Sequence, residues 1–97
     1  MQFLILAYDA TDADALTRRM RAREAHLKLV DENKAKGHAR YGAAIIGESG
    51  VMIGSMMVVE YPTRTALDAW LAEEPYVTQN VWSDVSIQEC RIAPSFV

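Results

Sequence analysis

Residues 51–61, Val51-Met52-Ile53-Gly54-Ser55-Met56-Met57-Val58-Val59-Glu60-Tyr61, form an apolar run of strand length in which neither alternate set of positions is made for water. Successive side chains of a strand point to opposite faces, so Ile53, Ser55, Met57 and Val59 share one face and Met52, Gly54, Met56 and Val58 the other. An antiparallel sheet with helices on one side normally shows a polar second face. A strand apolar on both faces predicts that something else covers the second one, and the sheet of a partner subunit would do so.

The elements around this strand complete the pattern. Residues 39–47 are also apolar and strand-like, and Glu48-Ser49-Gly50 joins the two runs with hairpin length and a glycine for positive φ, so they pair antiparallel. Phe3-Leu4-Ile5-Leu6-Ala7-Tyr8 is another strand, ended by Asp9-Ala10-Thr11-Asp12, whose short polar side chains bond back to the backbone. Residues 83–92 set Val85 and Ile87 against Asp84, Ser86 and Gln88 as a fourth strand, and residues 94–97 are a tail. A helix is expected over residues 13–36, capped by Thr11 or Asp12, acidic in its first turn and stopped by Gly37 after Lys34-Ala35-Lys36. At 1.5 Å per residue it is about 36 Å long, more than a small sheet needs, so its last turn or two should extend past the packed region. A second helix opens at Pro62-Thr63, places Ala66, Leu67, Trp70 and Leu71 on one face and is stopped by Pro75; residues 76–82 read as an irregular or single-turn segment. The order β-α-β-β-α-β predicts a ferredoxin-like α+β fold over residues 1–97, a four-stranded antiparallel sheet with two helices on one face.

Composition excludes several function classes. Ninety-seven residues, 51% hydrophobic and 24% charged, suit one compact domain. With a net charge of −3 and basic residues crowded between positions 18 and 40, the chain offers no electrostatic footprint for a phosphate backbone, and no nucleic-acid partner is expected. The single cysteine, Cys90, excludes an internal disulfide, fits a reducing cytoplasm and reads as a small strand filler. No apolar run approaches the length of a membrane span, and the start lacks a leader pattern, so the expectation is a soluble protein without a membrane partner. No HExxH, CxxC, GxGxxG or GxxxxGK[ST] is present to support zinc, dinucleotide or P-loop chemistry, and Met52, Met56 and Met57 read as pliable packing rather than metal ligands.

Candidate chemistry centres on the first helix. Projected at 100° per residue from Leu16, Met20, Leu27 and Val30 fall at about 40°, 20° and −40°, an apolar stripe expected to be buried. Arg23 sits inside it near −20°, and Arg19 and His26 lie along its edge near −60° and −80°. An Arg aimed at a core must find an anion or snorkel to water. Two sources stand out: Asp9, which the topology brings near Arg19, and Glu74, held next to Pro75 in an irregular segment. Glu73 reads as solvated. His26 can move a proton near neutral pH, or it is a plain surface histidine. Gly54-Ser55 admits a ligand or a partner's backbone, or simply accommodates Trp70 or Trp82. His38, after Gly37, reads as a solvated neighbour of the helix end.

Arg23-Glu24-Ala25-His26-Leu27, Gly54-Ser55-Met56 and Glu74-Pro75-Tyr76-Val77 together resemble the YciI-like family, with its R-x-x-H-L helix, G-S strand and D-P-Y segment, in matching order over residues 1–96. The resemblance implies a dimeric α+β barrel, with homodimerisation through the sheet face or a higher oligomer, and a site whose catalytic pair maps onto His26 and Glu74. Glutamate stands where the family has aspartate, which moves the carboxylate out by one methylene. Gln79-Asn80 replaces a small residue and glycine, and asparagine is the next best choice for a left-handed position. The implied reactions are lyase, dehydrochlorinase or isomerase steps on a small-molecule ring ligand, with no cofactor and no metal. His26 transfers the proton, Glu74 orients the imidazole, Arg23 holds an anionic or enolate oxygen, and Arg19, Ser55 and Tyr8 complete the substrate-binding set. The alternative is a non-catalytic ligand-binding or interaction dimer in which Glu74 marks a retired site.

Overall fold

The computed structural model describes residues 1–96; Val97, the end of the expected tail, lies outside them. Strand β1 (Gln2–Asp9) leads into helix α1 (Ala15–Ala35) and then the hairpin of β2 (Ala39–Ile46) and β3 (Met52–Glu60). Helix α2 (Arg64–Leu71), the single turn α3 (Pro75–Thr78) and β4 (Trp82–Cys90) follow, and a 3-10 turn over Pro94–Phe96 ends the described chain. The sheet order is β2-β3-β1-β4, with every neighbouring pair antiparallel. This is the expected ferredoxin-like arrangement.

The register explains how the two sheet faces differ. Ile5 lies opposite Met57 and Ile87, and Phe3 opposite Val59, so one face gathers Phe3, Ile5, Ala7, Met57 and Val59 under the helices. They close a core with Leu67, Trp70, Tyr76, Val81 and Trp82. Ile5, Val59 and Leu67 are wholly buried, each contributing about 1.5–3 kcal/mol. The other face carries half-buried Leu4, Leu6, Met56 and Val58 with exposed Tyr8 and Tyr41, while β4 adds Asp84, Ser86, Gln88 and the small Cys90 to it. The large apolar side chains of this open face therefore lie on β1, β2 and β3. Gly54 belongs to it for a reason found inside the sheet: a Cβ there would stand 2.5 Å from the Ala7 carbonyl oxygen.

Several local expectations are corrected. Helix α1 begins at Ala15, so Asp14 lies ahead of its first turn rather than within it, and neither Thr11 nor Asp12 caps it. Asp12 instead takes both terminal nitrogens of Arg18 at 2.7 Å, and that guanidinium pulls its carboxyl down to about 2. At the far end Gly37 has the expected positive φ of 81°, but the last turn does not hang free. Asn33 is buried and donates to the Tyr61 hydroxyl oxygen at 2.7 Å, and His38, rather than being solvated, stacks on the Tyr61 ring at 4.4 Å. Helix α2 starts where Thr63 Oγ1 accepts the Ala66 N–H at 3.1 Å, and it ends before Pro75, which occupies the first turn of α3 instead of stopping α2. Asn80 takes the left-handed position as expected, at φ 58°. No helix among the described residues is long and apolar enough to cross a membrane.

Candidate functional site

Helix α1 buries a different face from the one its apolar residues mark. Leu16, Met20 and Leu27 are 38%, 49% and 40% exposed, whereas Ala15, Arg19, Ala22, His26 and Asn33 are buried. The buried set lies about 90° round the helix from the apolar stripe. Alanines at 15 and 22 let the backbone sit close to the sheet. Between them and beyond, Arg19, His26 and Asn33 recur at seven-residue spacing and put three polar groups inward. Each finds a partner beneath the helix, which offsets the desolvation cost of burying it. The Arg that needed a carboxylate is thus Arg19, while Arg23 is exposed.

His26 and Glu74 form the central pair. Glu74 is fully buried, and its Oε1 lies 2.6 Å from His26 Nδ1 and 3.3 Å from the Tyr76 N–H, which it caps as α3 begins. The Pro75 ring pre-sets that turn, so the carboxylate is held by backbone geometry and not by a free side chain. With Glu74 ionised, Nδ1 is the donor and the neutral ring keeps its proton there, leaving the Nε2 lone pair free. Nε2 has no hydrogen-bond partner among the described residues, and His26 borders an open groove. The Tyr76 ring stacks on the imidazole at 3.9 Å and 12°, and Trp82 meets it edge-on at 6.3 Å, so ring orientation is determined on three sides. The extra methylene of glutamate does not break the contact.

A second buried network braces the first. Arg19 Nη1 donates to both Asp9 oxygens at 2.9 and 3.1 Å, Nη2 donates to Ser55 Oγ at 3.0 Å, and Trp82 Nε1 donates to the same hydroxyl at 3.1 Å. The guanidinium also lies over the Tyr76 ring at 4.7 Å. Burial pushes the Asp9 carboxyl above its ordinary value, with Arg19 pulling in the opposite direction. Arg19 and Ser55 border the groove, but their polar groups are largely committed to internal partners, so their place is in its framework.

The groove runs between α1 and the β2–β3 half of the sheet and has a volume of about 370 Å³. Gly42, Ala44 and Met57 line its sheet side; His26, Leu27, Val30 and the charged Arg23, Asp31 and Lys34 line its helix side. Small residues on β2 leave the space, and the Leu27 and Val30 that were expected in the core form its wall. Of the expected site residues, His26, Arg19, Ser55 and Arg23 line the groove, and Glu74 lies buried behind His26. Tyr8 does not: its side chain points to the opposite sheet face, because the alternation that buries Ala7 and Asp9 turns Tyr8 away. Tyr76 and Trp82 were not singled out for this site, and the available signal was the aromatic after Glu74-Pro75 and the one starting β4. Among the described residues, no group of three His, Cys, Asp or Glu side chains is placed to hold a metal ion.

Comparison with known proteins agrees with the fold. The dehydrochlorinase TftG of Burkholderia phenoliruptrix AC1100, which acts on 5-chloro-2-hydroxyhydroquinone and was solved with 2,5-dihydroxybenzoquinone, superposes with a TM-score of 0.83 at 19% identity over 98% of both chains. An antibiotic biosynthesis monooxygenase shares the fold more distantly, with a TM-score of 0.52 at 18% identity over 97% of this chain and all of its own. The YciI proteins of Escherichia coli O6:H1 and Shigella flexneri are each 31% identical over 94 residues, 91% of this chain and 94% of theirs. Residues 1–91 match the YCII-related domain, and the chain belongs to that family.

Proposed function

We propose that the chain is a cofactor-independent enzyme of the lyase, dehydrochlorinase or isomerase type, acting on a small oxygenated ring compound in the groove beside His26. The observation that carries this is the 2.6 Å contact between His26 Nδ1 and the buried Glu74, with Nε2 left free beside the groove. A base oriented by a carboxylate can take a proton from a ring carbon or hydroxyl and return it elsewhere. Eliminating HCl from a hydroxylated ring removes a proton and a chloride and moves no electrons to an external acceptor. Arg23, exposed at the groove wall, holds the anionic oxygen that develops. The intact pair speaks against a retired site.

The test is incubation with 5-chloro-2-hydroxyhydroquinone, following chloride release and the ring product by NMR. Turnover above the uncatalysed rate is expected, and turnover equal in wild type and His26→Gln would sink the reading. The protein also works as a homodimer through its open sheet face, on which Leu4, Leu6, Met56 and Val58 converge from β1 and β3. Sedimentation at micromolar concentration should give twice the chain mass, and a stable monomer would refute the dimer.

A further inference from the structure

Tyr76 is only 1% exposed, yet it lines the groove. Its ring is in use on the protein side, stacked on His26 and under the Arg19 guanidinium. Its hydroxyl has no hydrogen-bond partner among the described residues. The sealed polar side-chain atoms without partners are Arg19 Nε, Trp70 Nε1 and Glu74 Oε2, and the Tyr76 oxygen is not among them. The sliver of surface left to this residue therefore includes the phenolic oxygen. A buried ring with an accessible, unpaired hydroxyl is the form a ligand-binding tyrosine takes.

We infer that the Tyr76 hydroxyl is a ligand-binding donor of the groove, giving its hydrogen bond to a carbonyl or enolate oxygen of a flat ring compound that His26 Nε2 and Arg23 also reach. This rests on the function proposed above and adds a selection rule to it. A site built to hydrogen-bond a ring oxygen rejects an analogue lacking that oxygen, because the phenol would be left buried and unpaired. Stacking within 3.9 Å of the imidazole places the phenol beside the base, so one small ligand can meet both. Burial also pushes the phenol above its ordinary value, with the Arg19 and Arg23 charges opposing, which keeps it in the protonated, donating form.

The experiment measures binding of 2,5-dihydroxybenzoquinone by calorimetry to wild type, Tyr76→Phe and His26→Gln, with thermal unfolding of each. Phenylalanine keeps the ring and its stacking and removes only the hydroxyl. An affinity loss of about 10- to 100-fold in Tyr76→Phe at unchanged unfolding temperature is expected, the size of one hydrogen bond to a charged or strongly polar acceptor. Equal affinity of Tyr76→Phe and wild type, with His26→Gln weakened, would overturn the role of the hydroxyl and leave the proposed function standing. No binding by wild type would overturn both. If Tyr76→Phe lowers the unfolding temperature, the split is read from ligands: wild type should prefer 2,5-dihydroxybenzoquinone over p-xylene, a flat ring with no oxygen to accept the bond, by more than the variant does, and equal preference overturns the inference.

Discussion

Arg19→Met is expected to destabilise the fold by about 3–5 kcal/mol, read as a lower midpoint in urea unfolding at neutral pH. The replacement fills much of the volume but leaves Asp9 buried with no countercharge, and it strips a donor from Ser55. Both partners of this pair are almost sealed, with side chains 3% and 5% exposed, so the desolvation cost is not relieved by water. Its pH dependence has a definite sign. The Asp9 carboxyl already lies above its ordinary 3.8 when Arg19 is present, and losing that charge raises it further. The variant therefore suffers least at low pH, where Asp9 is protonated in both states, and loses stability as pH rises past the unfolded value toward the folded one. Asp9→Leu combined with Arg19→Met should recover most of the loss, because a packed apolar pair no longer buries an unmatched charge. A single-variant loss below about 1 kcal/mol would show that the pair is solvated in solution.

His26→Gln is expected to lower kcat for chloride release by about 10²- to 10⁴-fold, the usual contribution of a positioned proton-transfer group. Glu74→Gln is the more discriminating variant. An amide can donate to Nδ1 as well as accept from it, and once it donates, the ring proton moves to Nε2 and the free lone pair facing the groove disappears. A fall of at least about 10²-fold in kcat is expected for Glu74→Gln as well, accompanied by a change of tautomer in the 15N spectrum of His26. Full activity with the wild-type tautomer would mean that Glu74 only fills space. The Tyr76 N–H contact with Glu74 is weak at 3.3 Å, so loss of the α3 cap adds little to the effect.

Much of the architecture was legible from local signals. Strand alternation, the glycine after Lys36 and the Thr63 cap act over a few residues, and they placed every strand and both main helices in the right order. The site was legible only in part. His26 was reached through the helical projection and Glu74 through its place beside Pro75, the family motifs then pairing them, and Asp9 through the nearness of the end of β1 to the start of α1. Tyr76 and Trp82 were passed over because an aromatic ring in a small domain looks like core until the groove beside it is known. Tyr8 was misplaced because membership of a strand does not say which of its two faces meets the helices.

The face that α1 buries marks the division between the two kinds of information. From the sequence alone came the elements, their order and the doubly apolar strand at residues 51–61, since periodicity is a property of neighbours in the chain. Tertiary structure alone decided that Arg19, His26 and Asn33 turn inward while Leu16, Met20 and Leu27 stay half in water. The partners that make this favourable, Asp9, Ser55, Glu74 and Tyr61, lie 10, 36, 48 and 28 residues away from the groups they hold. Burial of a polar side chain is settled by whether such distant partners arrive, and a helical projection holds no record of them.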